Sequence, residues 1–215
     1  MPVNGRQVSQ LYLLAPGAQT SGGGSYDNIR FSGRSNQQNA VKFDGVEASS
    51  IVDASPGNLN GQTSSAFRLQ ASLETVQEFR VDTNALKAEY GQTAGGVINA
   101  VTKSGSNTFK GSSWVTWDPI GIQAVPKRNQ YFKQSAPPSR YDIGAEVGGP
   151  LIKDKLFYFV GVDLNKTETS AANNLPNMNG MKNGKETVDT TQFIAKINWL
   201  ISQDHQLTLS ANLNN

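Results

Sequence analysis

The chain of 215 residues has no cysteine. A disulfide framework and a thiolate metal site are therefore both excluded. It has one histidine, His205, beside an expected turn. No Ser/His/Asp or Cys/His set can be built around it, and no zinc or calcium loop spacing is present. The carboxylates Asp44, Asp53, Glu74 and Glu89 are scattered, so no acid/base pair is assembled by spacing. These absences point away from an enzyme and imply no catalytic residue, metal or cofactor. Long hydrophobic runs are missing too: none approaches the roughly 18 residues of a membrane helix. Runs of five or more basic residues are also absent, and the formal net charge is +2. Nothing in the charge pattern favours nucleic acid.

The chain has 21 glycines, abundant Asn, Ser and Gln, and 37% hydrophobic residues. That mixture suits turns, polar loops and wet interfaces more than a dry core. Met1 leads straight into Pro2-Val3-Asn4-Gly5-Arg6, with no secretory signal in view. The run GGGS at 22–25 is a loop; no Gly-Lys-Ser/Thr follows to make a phosphate cradle.

Residues 1–105 mix short helices with short strands. In QVSQLYLL (7–14), Val8, Leu11, Tyr12 and Leu14 fall near one helical face, and Pro16-Gly17 stops the helix. Extended pieces around 28–31 and 40–43 flank a polar tip, which predicts a hairpin. Asp44-Gly45 closes the second piece, and a long polar loop covers 47–66. Ser72 caps a short helix, SLETV, with Glu74 in its first turn. Strands follow at 79–83 and 96–102. The pattern reads as a small α+β domain.

After Gly105 the pattern changes. Strands of about ten residues are expected at 109–118, 140–149, 155–165, 191–202 and 205–214. Tyr141, Ile143, Ala145 and Val147 alternate with Asp142, Gly144, Glu146 and Gly148. Phe193, Ala195, Ile197 and Trp199 oppose Gln192, Lys196 and Asn198. One face is apolar and one wet. Such strands suit a tilted membrane crossing, with Trp117, Tyr141, Phe157, Tyr158 and Trp199 near strand ends as interfacial aromatics. A soluble antiparallel sandwich alternates equally well, and periodicity alone slightly favours it. Short turns at 149–154 and 202–204 contrast with long polar loops at 119–139 and 166–190, as in outer-membrane barrels.

The stretch AEYGQTAGGVINAVTKSGSNTFKGS (88–112) resembles the end of the plug domain of TonB-dependent outer-membrane receptors. NGRQVSQLYLLAPG (4–17), FSGRSNQQNAVKFDGVEA (31–48) and SLETVQEFRVDTNALKAEYG (72–91) resemble earlier plug segments in the family's order. RYDIGAEVGGPLIKDKLFYFVGVD (140–163) is similar to an early barrel hairpin of the Oar-like subgroup.

The resemblance implies a fold class: an α+β plug domain at 1–105, followed at 106–215 by four or five antiparallel strands of an incomplete transmembrane β-barrel. The expected chain is a fragment of a longer receptor, without the coupling box that engages a TonB-type energy-coupling complex. Implied partners are that complex, outer-membrane lipid, and an extracellular small-molecule, glycan or peptide substrate. The implied location is the bacterial outer membrane, and the implied activity is energy-coupled uptake. Apical plug loops would offer Ser35, Asn36, Gln37, Gln38, Ser55, Asn58, Asn60 and Gln62 to substrate. Arg30 and Arg34 would form plug–barrel ion pairs, with Glu146 a candidate partner. A soluble β-rich adhesion or carbohydrate-binding module is the alternative; it accounts for the strands but not for the ordered plug-like segments. A passive porin would lack the plug.

Overall fold

The computed structural model describes residues 9–20, 29–34, 38–47, 72–83, 93–119, 122, 139–171 and 184–214. The first helix, α1, is a single turn at Ser9–Tyr12. It delivers Tyr12 to the core with Leu11 packed beside it but leaves Leu14 exposed; Val8, the fourth residue of the expected apolar face, lies outside the described residues. Turns at 13–17 follow the helix, and Gly17, at a positive φ of 78°, leads the chain into β1, Ala18–Thr20. Strand β1 pairs antiparallel with β2, Ile29–Phe31.

The pieces around 30 and 42 do not form the expected hairpin. Strand β3, Ala40–Phe43, belongs to a second sheet with β4 (Val46–Glu47), β5 (Val76–Asp82) and β6 (Val97–Thr102). Its order is β4-β3-β6-β5. Ser32 and Gly33, both at positive φ, turn the chain out of β2. Asn39 then ties the two sheets together instead. Its Nδ2 donates to the Ile29 carbonyl (2.7 Å) and its Oδ1 accepts from the Gly96 amide (2.9 Å). Asp44 and Gly45, at φ of 50° and 82°, make the tight turn from β3 to β4, as left-handed conformations at both positions allow. Ser72 caps a single 3-10 turn, Leu73–Thr75, its Oγ accepting from the Glu74 amide at 3.4 Å.

The core of this unit is Tyr12, Ile29, Phe31, Val41, Phe43, Ile98 and Ala100. Gly95 and Gly96 bring the start of β6 against it. A Cβ on Gly96 would overlap the Phe31 ring, and one on Gly95 would overlap the Asn39 side chain. Glycine here permits close backbone approach.

The second part is one antiparallel sheet, ordered β11-β10-β9-β8-β7. Its strands are β7 (Lys110–Asp118), β8 (Ser139–Ile152), β9 (Leu156–Ala171), β10 (Gly184–Leu200) and β11 (Gln206–Asn214). Two strands run past their expected ends: β9 reaches Ala171 and β10 begins at Gly184, paired throughout. Those extensions are polar and carry no apolar alternation, which is why they read as loop. Strand β8 also continues through Ile152, leaving Lys153–Lys155 as the turn.

The faces of this sheet are inverted relative to a water-soluble protein. Tyr141, Val147, Val162, Leu164, Ile197, Trp199, Leu207, Leu209 and Leu213 are exposed, while Asp142, Asp163, Thr167, Gln192 and Lys196 are buried. A sandwich would cover the apolar face. Here the N-terminal unit lies on the polar one.

Candidate functional site

Registry places the exposed apolar residues in rows. Trp117 lies opposite Tyr141, and Tyr141 opposite Lys166. Several rows along, Gly149, Tyr158, Ile197 and Leu209 align, with Trp199 beside Leu156 and Leu207 in the next row. Phe109 lies over Gly149, its ring 6.5 Å from that of Tyr158. From Tyr141 to Leu151, β8 advances about 33 Å. At a tilt near 40° that is about 25 Å of height, the thickness of a lipid-facing barrel band flanked by aromatic girdles. Trp117, Tyr141, Tyr158 and Trp199 therefore stand where girdle residues should. Phe157, by alternation, falls on the opposite face. The Lys166–Asp189 ion pair, 3.7 Å, lies in the Tyr141 row itself, at the edge of the apolar band.

The polar face carries the candidate site, its contact with the N-terminal unit. Lys196 projects from β10, its side chain only 4% exposed. Its Nζ lies 3.0 Å from Asp44 Oδ1 and donates to the Thr102 carbonyl at 3.2 Å. Asp44 sits at the β3–β4 turn with its carboxylate fixed by Thr102: the Thr102 amide donates to Oδ1 at 3.0 Å and the hydroxyl to Oδ2 at 2.5 Å. A buried ammonium is thus met by a carboxylate already held in place, as burial of charge requires.

A second contact is the reverse of the first. Here the N-terminal unit supplies the cation, Lys103, just past β6, and the sheet supplies the acid, Glu146 of β8. Lys103 Nζ is 2.5 Å from Glu146 Oε1, which also accepts from Ser112 Oγ at 3.0 Å. Between these contacts the fit is close: a Cβ on Gly161 of β9 would press on Thr75 Cγ2. Thr75, Gly161, Asp163, Gln192, Ile194 and Asn212 are among the residues lining a small crevice alongside. Further along the same face, the Trp114 indole donates to Asp142 Oδ1 at 3.1 Å and lies over Gly144.

Of the residues singled out from sequence, Ser35, Asn36, Gln37, Ser55, Asn58, Asn60 and Gln62 lie outside the described residues. The Gln38 side chain is exposed. Its carbonyl holds the approach to β6, accepting from Ala94 N (3.2 Å), Gly95 N (2.9 Å) and Thr93 Oγ1 (2.6 Å). Arg30 and Arg34 are exposed. Glu146 is ion-paired with the N-terminal unit, with Lys103 as its partner. The Asp44–Lys196 pair was not singled out. Its signal was a lysine at an inward position of a strand whose other face is Phe193, Ala195, Ile197 and Trp199. His205 is exposed and closes the β10–β11 turn, its carbonyl accepting from Ile201 N and Ser202 N.

Residues 101–193 match the family described as outer membrane beta barrel domain. The chain is 29% identical over 237 residues to the TonB-dependent transporter Oar of Myxococcus xanthus, covering 96% of this chain and 21% of that one. It is 26% identical over 137 residues to the probable TonB-dependent siderophore receptor PirA of Acinetobacter baumannii, covering 63% of this chain and 17% of that one. The crystal structure of that PirA superposes with a TM-score of 0.69 at 21% identity, covering 100% of this chain and 29% of PirA. The Pseudomonas aeruginosa ferric enterobactin receptor PfeA, a Q482A mutant crystallised with enterobactin, gives 0.66 at 19% identity over 97% of this chain and 30% of PfeA. The chain thus spans about a fifth of the length of the curated relatives it matches. It is homologous to TonB-dependent transporters and siderophore receptors, and its barrel domain indicates the bacterial outer membrane.

Proposed function

We propose that this chain, homologous to TonB-dependent transporters, forms the plug and opening barrel strands of an outer-membrane receptor that takes up a scarce substrate by energy-coupled transport. Residues 1–105 are the α+β plug, and residues 106–215 are the first strands of the wall. The observation that carries this reading is the inverted sheet: its apolar face is exposed, and its polar face holds the N-terminal unit. Homology to transporters and receptors supports a transport role without catalysis.

The mechanism follows from the chemistry of the contact. A TonB-type complex pulls on the plug, and the plug–wall contacts must part and re-form. Charged and polar contacts exchange for water as they open, whereas a dry apolar seam would resist. Asp44–Lys196 and Lys103–Glu146 are contacts of that exchangeable kind. The apical residues Ser35 to Gln38 and Ser55, Asn58, Asn60 and Gln62 are proposed to meet substrate, and Arg30 and Arg34 to pair with carboxylates of the wall. The substrate classes that fit are siderophores, cobalamin, glycans and peptides.

The test is fractionation of the producing cell, followed by uptake assays with labelled ferric enterobactin, other ferric siderophores, cobalamin, glycans and peptides. Outer-membrane recovery and uptake that stops when the proton gradient is collapsed are expected. Recovery of the protein as a soluble monomer would overturn the proposal, and uptake that persists without the gradient would replace it with passive diffusion.

A further inference from the structure

The joint between β6 and β7 is built into the wall. Its first residue still belongs to the N-terminal unit: the Lys103 amide donates to the Thr75 carbonyl at 2.8 Å. Two residues later the chain has changed sides. Gly105 lies so close to the β9 backbone that a Cβ would overlap the Tyr158 amide and carbonyl. Asn107 then clamps the β8–β9 turn from both directions. Its Nδ2 donates to Asp154 Oδ1 at 2.6 Å, and its Oδ1 accepts from the Asp154 amide at 2.8 Å. Asp154 takes a positive φ of 62°, a turn conformation that short polar side chains tolerate. Ser106 Oγ bonds the Thr108 carbonyl at 3.0 Å, tightening the same segment. Phe109 is on the outer face, over Gly149.

We infer that the boundary between the part that moves and the part that stays lies at Ser104, and that Gly105–Phe109 is a fixed splint of the wall held by Asn107. This rests on the reading that the N-terminal unit moves during transport. The two sides of Ser104 are held differently. Upstream, the unit meets the wall through polar contacts of Asp44, Thr102 and Lys103 that water can replace, with Thr75 seated against Gly161 between them. Downstream, the backbone of Gly105 is packed on backbone, and a paired amide side chain holds the turn. An opening unit therefore swings from a defined pivot instead of a loose tether.

The test is site-resolved hydrogen exchange on the protein in detergent micelles, with rising urea. The Ala40, Asp44 and Lys103 amides, bonded to Gly96, Ala100 and Thr75 carbonyls, are expected to lose protection together at low urea. The Asp154 amide and the Leu200 amide, bonded to the Lys155 carbonyl, are expected to stay protected with β8–β10. Asn107→Ala is expected to lower Asp154 protection about tenfold and leave Ala40 and Asp44 unchanged. Opening of Asp154 together with Asp44 in the unsubstituted protein would overturn the inference, as would equal loosening of both regions in N107A. Exchange needs neither substrate nor energy, so a failed uptake assay would remove the proposed function without touching this result.

Discussion

Lys196 and Asp44 meet at 3.0 Å across the contact between the wall strand β10 and the turn that ends β3. The lysine is almost wholly buried, and the aspartate is 21% exposed. That asymmetry decides which partner matters more. Asp44→Asn keeps the side-chain shape and tolerates the positive φ, but it leaves the Lys196 ammonium buried beside neutral groups. A loss of about 3 kcal/mol is expected. Lys196→Met leaves Asp44 bonded to Thr102 and near water, so about 1 kcal/mol is expected. The double variant should recover part of the loss, because an apolar or neutral replacement of both partners carries no desolvation cost. A double-mutant cycle on urea unfolding of the N-terminal unit measures the coupling; strict additivity would show that the pair contributes nothing.

Tyr12 offers a pH-dependent measurement. Its ring is fully buried, its hydroxyl has no hydrogen-bond partner among the described residues, and burial pushes the phenol above its ordinary value of 10.0. The folded unit holds the proton where the unfolded chain releases it. Stability is therefore whole below about pH 10 and falls as pH rises above it. Tyr12→Phe should abolish that alkaline loss. At pH 7 it should be neutral to about 1 kcal/mol stabilising, since it removes a buried unpaired hydroxyl. Unfolding midpoints between pH 7 and 11 test both statements, and an alkaline loss of the same size in Y12F would refute the first.

Gly96→Ala should cost about 1–3 kcal/mol by overpacking, because its Cβ has nowhere to go but into the Phe31 ring. The paired variant Gly96→Ala with Phe31→Leu should regain part of that loss. Gly33→Ala is the contrast: nothing lies within 4 Å of its added Cβ, so its cost comes from the positive φ of 74° alone. Thermal unfolding of the three proteins ranks them.

The wall faces are distinguished by charge insertion. Val162 is on the exposed apolar face, in the row of Ala145 and Phe193. Val162→Arg should lower folding stability in lipid vesicles by about 2–4 kcal/mol and reduce outer-membrane yield. Ser112→Thr, on the polar face beside Glu146, should change either quantity little. Equal tolerance of the two would mean that the apolar face does not meet lipid.

The five wall strands were legible in the sequence because lipid on one side and water or polar contacts on the other enforce a period of two. Where that constraint ends, so did the signal. The β9–β10 extension from Lys166 onward is paired strand but polar on both faces, and it reads as loop. Within the N-terminal unit, Ser72 announced its cap and Asp44-Gly45 its turn, since both depend on local chemistry. The pairing of β3 with β6 instead of β2 was not visible, because Asn39 and Gly96 are brought together only by the fold. The same holds for the site. Glu146 could be named as an ion-pair candidate from the family resemblance, though as a partner for Arg30 or Arg34. Its partner Lys103, and the Asp44–Lys196 pair, are products of how two separate units dock.

The crossed arrangement of these two contacts has an electrical consequence. To these two pairs each surface contributes one lysine and one carboxylate, so the pairs themselves add no net charge to either side. At physiological salt fields fade within about 8 Å, so the two pairs draw the surfaces together only at short range. Return must come from the short covalent span at Ser104, which keeps the two dipoles near each other. Mispairing is discouraged at the same time: a shifted docking would bring Lys103 toward Lys196, or Asp44 toward Glu146. The interface carries its own registration mark, written in alternating sign.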